Sequence, residues 1–420
     1  MGLGLVQKQD RTDEDFSTVF IFNFAVSVIF YLIIYITAPI IAAFYDTPQL
    51  VLLARVLSVN LIINSLATIQ RTRLTIVLDF KSIAKVNIIS IITGGLSGVY
   101  FAYTGYGVWA LVIQNLVSAL TTVIILWYVS SWKPSLVFSR QSFSNLFGFG
   151  SNLLLASLYA QIINNIYNMI IGKLYSVSDL GYYTRAKGLA ELAAGTVAGI
   201  VQQVSFPLLS SLKNDEEAMV SAYRNLLKMT AFIIFPSMTL IALLADPFVR
   251  LLLTDKWLPV IPLLQLMSFA RIFYPLSVIN MNILNVIGRS DLYLKVDLSK
   301  LPLTAIILAI TIPLGVKVMV IGHVVMAFLG FLINAYLPGK YFNYGAIKQL
   351  QDMTRVIVAT AVTAGIVYLS LLFTDSLLLK LIIGVGVGIP TYILSSLLLG
   401  VKEVKELRNV LLMVKNDHEN

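Results

Sequence analysis

The residues able to do chemistry in this chain are polar groups standing inside long apolar runs. In the run Phe147–Ile171, Ser157, Gln161, Asn164, Asn165 and Asn168 step by three or four residues and so share one helical face. Such a stripe can line an aqueous cavity and hydrogen-bond a hydroxyl-rich ligand, or it can serve as interhelical glue. Lys187, Glu191, Gly195, Gly199 and Gln203 step by four. Glycines at that spacing read as close helix packing. Lys187 and Glu191 read either as a local ion pair or as functional charges beside Arg185. Ser268, Arg271, Pro275, Asn282 and Asn285 share a third face, with Pro275 placed to kink its helix. Arg271 keeps its charge, and its planar fork suits phosphate. The competing role for Arg271 is an ion pair with a carboxylate elsewhere in the bundle. Either way these groups must face protein or water, because exposure of a charge to lipid costs several kcal/mol.

Other chemistry is excluded by composition. There is no cysteine, so disulfides, thiol nucleophiles and thiolate metal sites are absent. The two histidines, His323 and His418, are far apart, and no metal site, cofactor or catalytic residue is expected. The net charge is +9, but Lys and Arg are scattered singly, which speaks against nucleic acid as a partner.

The elements that carry these residues must be membrane helices. Of 420 residues, 58% are hydrophobic and 12% charged, about half the usual charged share of a soluble domain. Mean hydropathy is +0.85. The lipid bilayer is therefore the solvent, and the fold expected is an all-α polytopic membrane bundle with no soluble domain. Runs long enough to span recur at Val19–Phe44, Leu50–Ala67, Ile83–Ala102, Val108–Val129, Phe147–Ile171 and Gly188–Leu209. They continue at Met229–Leu251, Val260–Ile287, Leu298–Leu314, Met319–Leu337, Val356–Phe373 and Leu378–Leu399, about twelve transmembrane helices in all. Gly94, Gly95, Gly98, Pro39 and Pro390 read as packing or kink positions, and Asp10–Asp15 as a solvated cap. On these boundaries Arg55 and Arg271 fall inside spans, with Arg55 near an end and able to snorkel. Lys173, Arg185, Lys187, Arg250, Lys256, Lys317 and Lys380 lie on one side, and the other basic residues on the side of the N-terminus. That bias predicts both termini in the cytoplasm, with Lys173, Arg185 and Lys187 running against the trend.

Several segments resemble bacterial polysaccharide exporters. Residues 16–46 contain Ala38-Pro39 and Phe44-Tyr45 in the manner of a helix ending APxIAxFY. Leu180-Gly181-Tyr182-Tyr183-Thr184-Arg185-Ala186 is similar to an LGYYxRA stretch, and Phe206-Pro207-Leu208-Leu209-Ser210 to an FPxLS ending. Lys256-Trp257-Leu258-Pro259 with Pro262-Leu263-Leu264 resembles a KWxPAxPLL element, and Gly2-Leu3-Gly4 through Lys8 a GLGxAxxQ-K/R turn. Together they resemble the O-antigen, teichuronic-acid and colanic-acid exporters, the Wzx-like polysaccharide transporters of the MATE-like (MOP) flippase superfamily. The resemblance implies a two-lobe bundle around a cavity, translocating undecaprenyl-diphosphate-linked oligosaccharide across the inner membrane by alternating access. It implies no enzymatic step, and a polysaccharide polymerase machinery as a further partner. In this fold the GLG turn follows a second helix, so the chain is expected to lack the first two of fourteen. The domains expected are an incomplete N-lobe at 1–140, a C-lobe at 141–345, two additional helices at 346–401 and a cytoplasmic tail at 402–420. Tyr167 stands where such proteins often carry an aspartate. Gln161, Asn164, Asn165, Asn168, Arg185, Lys187, Glu191, Arg271 and Asn282 are the candidate cavity residues.

Three other functions compete. A MATE-type drug or cation antiporter calls for an acidic cavity, whereas the candidate charges are mostly basic. A membrane glycosyltransferase or polymerase calls for an extramembrane loop with catalytic carboxylates, and none stands out. A non-transporting fragment is the third. Orientation is open to a direct test, since any introduced cysteine is unique. Thr104→Cys should react with an impermeant thiol reagent in intact cells and Ser131→Cys only after permeabilisation. The reverse pattern would overturn the orientation.

Overall fold

Hydrocarbon offers the backbone no hydrogen-bond partners, so a spanning segment must satisfy its own N–H and C=O groups, as a helix does. A computed structural model of the protein describes residues 5, 12–77, 79–130, 132–135, 137–140, 143, 161 and 164–404. Ser157, most of the expected span Phe147–Ile171, the Gly2–Lys8 turn and nearly all of the tail lie outside them. Among the described residues, eleven helical segments are long and apolar enough to cross a bilayer. Their outward faces are strongly apolar: Ile36, Val99 and Leu192 are each at least 70% exposed, as lipid-facing residues should be. The chain is a multi-pass membrane protein.

Two compact units divide the chain, Met1–Lys173 and Leu174–Asn420. The first contains α1 (Asp13–Phe44), α2 (Leu50–Ile76), α3 (Phe80–Tyr103) and α4 (Val108–Val129), followed by helical residues from 164 onward. A capping box opens α1: the Asp15 carboxylate accepts from Thr12 N–H at 2.9 Å, and the Thr12 hydroxyl accepts from Asp15 N–H. The expected cap is thus present, though Asp15 is fully buried rather than solvated. Asp79 caps α3, and hydrogen bonds from Ser82 hold its carboxyl below the ordinary value. Where α3 meets α4, a Cβ on Gly94 would stand 2.8 Å from Ser118 Cβ, and one on Gly98 would strike Gln114. The Thr122 hydroxyl donates to Ser90 Oγ across the same seam at 2.9 Å. Gly95, between the two glycines, meets nothing. Lys173 lies 2.9 Å from Asp46, just past the end of α1, and over the Phe44 ring. A partner at that helix end accounts for one of the charges that run against the orientation trend.

The second unit contains α5 (Val177–Ser211), α6 (Glu216–Leu243), α7 (Ala245–Leu253), α8 (Val260–Val286), α9 (Ser290–Ser299) and α10 (Leu301–Thr311). It continues with α11 (Val316–Phe342), α12 (Ala346–Leu371) and α13 (Leu377–Leu398). Two expected boundaries are corrected. α5 begins at Val177 rather than Gly188, started by a Ser176–Asp179 capping box, so Arg185 and Lys187 belong to the helix and not to a loop. The run Met229–Leu251 is not one helix: α6 ends at Leu243, and α7 is a separate short piece. The expected helix Leu298–Leu314 is the C-terminal part of a segment running from Asp291 to Leu314.

The α3–α4 seam generates a paired prediction. Gly94→Val should cost about 1–3 kcal/mol by overpacking, while Gly95→Val should be tolerated. Thermal unfolding of the purified protein in detergent checks this. Equal melting temperatures for the two variants would refute the seam.

Candidate functional site

The face of α5 that packs is made of alanine. Ala186, Ala190, Ala194 and Ala198 recur every fourth residue and are at most 3% exposed. Small residues at this spacing let helices approach closely. The Asn282 amide of α8 donates to Ser205 Oγ of α5 at 2.8 Å, both groups being buried. The glycines expected to pack are instead on an open face. A Cβ on Gly199 meets nothing within 4 Å, and one on Gly195 meets only the Glu191 side chain.

Lys187 and Glu191 stand on that open face. Arg271, the twelfth residue of the 27-residue α8, reaches it from the neighbouring helix, with Nη2 2.5 Å from Glu191 Oε2. Glu191 meets Arg271 before Ser205 meets Asn282, so α5 and α8 run parallel. The Arg271 guanidinium also lies 5.6 Å over the Tyr274 ring, while its Nε–H is buried without a partner. His323 of α11 is within the electrostatic reach of both Arg271 and Lys187. Two basic side chains, one carboxylate and one imidazole thus converge from three helices. The Arg271 side chain is 15% exposed and that of Glu191 41%, so the pair is accessible from the open face. A guanidinium carries five N–H donors. One carboxylate does not exhaust them, and the arrangement can take an oxyanion.

The other expected residues are placed differently. Arg185 is exposed and, two residues from Lys187, points from another side of α5. Ser268 is fully buried and donates back to Leu264 O, and Asn282 is taken up by Ser205, so of that stripe Arg271 is the member that joins the charged cluster. In the first unit, Asn165 Nδ2 donates to the backbone and side-chain oxygens of Gln161, and Asn168 Nδ2 donates to Asn165 Oδ1 at 3.0 Å. Asn164 and Gln161 are exposed. Gln161, Asn165 and Asn168 thus form an amide ladder. Arg55 donates to Tyr35 O at 3.2 Å and stacks 4.1 Å over the Tyr35 ring.

The family model for polysaccharide biosynthesis proteins matches residues 1–262. The chain belongs to the polysaccharide biosynthesis protein family. Over 417 residues it is 25% identical to the teichuronic acid biosynthesis protein TuaB of Bacillus subtilis, covering 98% of this chain and 86% of that one. It is 20% identical over 350 residues to the lipopolysaccharide biosynthesis protein WzxC of Escherichia coli, covering 81% and 71%. In fold it is similar to the lipid II flippase MurJ in an inward closed conformation, with TM-score 0.76 and 19% identity over 94% of this chain and 86% of that one. Two segments of this polysaccharide biosynthesis protein that carry the sequence resemblance meet in space: Tyr182 of the LGYY stretch stacks edge-on against Trp257 at 5.9 Å.

Sequence reasoning on this family member missed two polar groups. One is a row on α2, Asn60, Asn64 and Thr68, inside an apolar run; the test of spacing that marked residues 161–168 would have found it. The other is a buried network with no local signal. Tyr223 of α6 donates to Asn280 of α8, and Gln349 of α12 donates to Tyr223 Oη and Asn280 Oδ1, each at 3.0 Å. All three residues are fully buried. Beside them Arg224 grips Asp352 with two donors, and the Tyr344 hydroxyl donates to the same carboxylate at 2.8 Å. Gln349→Leu leaves Asn280 and Tyr223 short of partners and should cost about 1–3 kcal/mol. An unchanged melting temperature in detergent would refute the network's structural role.

Proposed function

We propose that this protein is a flippase that carries undecaprenyl-diphosphate-linked oligosaccharide from the cytoplasmic to the outer leaflet of the bacterial inner membrane. Transport proceeds by alternating access, both termini are cytoplasmic, and a polysaccharide polymerase machinery receives the product. The family assignment, the kinship with proteins of teichuronic acid and lipopolysaccharide biosynthesis, and the fold shared with a lipid II flippase support this reading. The observation that carries it is the charged cluster of Arg271, Glu191 and Lys187 on the open face of α5.

A diphosphate passing a bilayer needs a cation already held inside the protein. Arg271 supplies a planar fork, Lys187 adds a second positive charge, and Glu191 serves as the counter-ion that makes the arginine tolerable before substrate arrives. The diphosphate then competes with Glu191 for the guanidinium. No bond is made or broken. A drug or cation antiporter would need the opposite sign of charge at this place.

The test separates substrate contact from folding. Arg271→Gln alone strands Glu191, which can cost about 3–5 kcal/mol and should lower the amount of protein in the membrane. The double variant Arg271→Gln/Glu191→Gln removes both charges, so abundance should recover while export stays lost. Arg271→Lys should keep abundance and reduce export. Lipid-linked intermediate build-up is measured beside membrane protein abundance in an exporter-null strain. Export at the native rate from the double variant would overturn the reading.

A further inference from the structure

The first unit holds a groove that the charged cluster does not explain. α1 and α2 flank an open groove of about 660 Å³, within the about 300–1,000 Å³ range of small-molecule sites. Its polar lining includes Asn23, Ser27, Asn60, Asn64, Ser65 and Thr68, and among the described residues none that lines it is charged. The nearest arginine in sequence, Arg55, is engaged with Tyr35.

The direction of the hydrogen bonds sets the chemistry of this groove. The Ser27 hydroxyl donates to Phe24 O at 2.7 Å, that of Ser65 to Ile62 O at 2.7 Å, and that of Thr68 to Asn64 O at 3.0 Å. The Asn64 amide donates to Asn60 O at 2.8 Å. Each of these hydroxyl protons is committed to its own helix, so the hydroxyls offer lone pairs to the groove, while the carboxamides of Asn23, Asn60 and Asn64 carry N–H donors as well as oxygens. Asn60 Oδ1 is buried and has no partner at all. A buried acceptor left unpaired is costly, and a ligand that brings a donor removes the penalty. The groove therefore suits an uncharged molecule rich in hydroxyls, which both donate and accept. A phosphate finds no cation among the lining residues, a lipid chain cannot satisfy Asn60, and an organic cation finds no carboxylate. Phe30, Ile34, Leu57 and Leu61 supply the apolar walls against which the C–H faces of a pyranose can lie.

We infer that the α1–α2 groove is a saccharide subsite, which holds the uncharged sugars of the lipid-linked substrate through the carboxamides of Asn60 and Asn64. The inference rests on the flippase reading and adds a division of labour within it: sugar hydroxyls in the first unit, diphosphate in the second.

The experiment uses the full chain in lipid nanodiscs and the absence of native cysteine. Alkylation by N-ethylmaleimide is timed at Ala54→Cys, in the lining of the groove, and, in a separate variant, at Tyr274→Cys beside Arg271. Two probes are added: the lipid-linked oligosaccharide extracted from producing cells, and undecaprenyl diphosphate without sugar. At a probe concentration about ten times its Kd, alkylation of an occupied site slows about tenfold. Ala54→Cys should be slowed by the oligosaccharide-bearing probe alone, and Tyr274→Cys by both. Adding Asn60→Leu should weaken the protection at Ala54→Cys and leave that at Tyr274→Cys. Equal protection of Ala54→Cys by both probes, protection by neither, or no alkylation before any probe is added would overturn the saccharide subsite. Protection confined to Ala54→Cys would overturn the diphosphate reading instead and leave the subsite standing.

Discussion

Hydrocarbon neither donates nor accepts a hydrogen bond, and the polar atoms of the described spans are disposed under that constraint. The backbone closes into helices. Hydroxyls along the spans turn inward to their own carbonyls, as those of Ser27, Thr37, Thr93 and Thr363 do. Larger polar groups must find each other across helices. That is why Asn282 meets Ser205, and why Tyr223, Asn280 and Gln349 close a ring of donors and acceptors. The groups left with spare capacity, such as Arg271 Nε and Asn60 Oδ1, are then conspicuous, because the medium gives no reason for them.

The same constraint explains what could be read without coordinates. A span announces itself by unbroken apolarity, so α3, α4, α8 and α13 were legible within a few residues, whereas α1, α2, α11 and α12 continue past the apolar run into polar flanks, as α2 does to Ile76 and α12 from Ala346. Gly94 and Gly98 also read correctly as packing positions, since two glycines one turn apart leave a flat strip on a helix. The start of α5 was not legible, because Tyr182, Arg185 and Lys187 interrupt the apolar run although the helix continues through them. The break between α6 and α7 was hidden for the opposite reason: apolarity runs on through the turn at Leu244.

Within the candidate site, the residue types were legible and the partnerships were not. Arg271 stood out by its charge alone, but that its carboxylate is Glu191, eighty positions earlier, depends on how α5 and α8 pack. Which small residues form the seam was also misjudged. Alanine and glycine alternate around α5 at the same spacing, and only the neighbouring helix decides which row it covers; it covers Ala186 through Ala198. The amide ladder from Gln161 to Asn168 was anticipated as a stripe, but not that its members bond one another.

The polar bonds that hold α12 and α13 to α6 are unevenly distributed. Arg224 with Asp352, Lys228 with Glu403 and Arg355 with Gly400 O all lie toward one end of the three helices, and the Tyr392 hydroxyl on Phe232 O lies near the middle. Toward the other end, leucine methyls rest on bare glycine backbone: Leu240 on Gly388 and Leu244 on Gly384. Directional bonds fix orientation at one end, and at the other the absence of a glycine side chain lets the helices approach until methyl meets backbone. A methyl group added at Gly384 or Gly388 would therefore act as a wedge at the end where, among the described residues, no polar bond holds it closed.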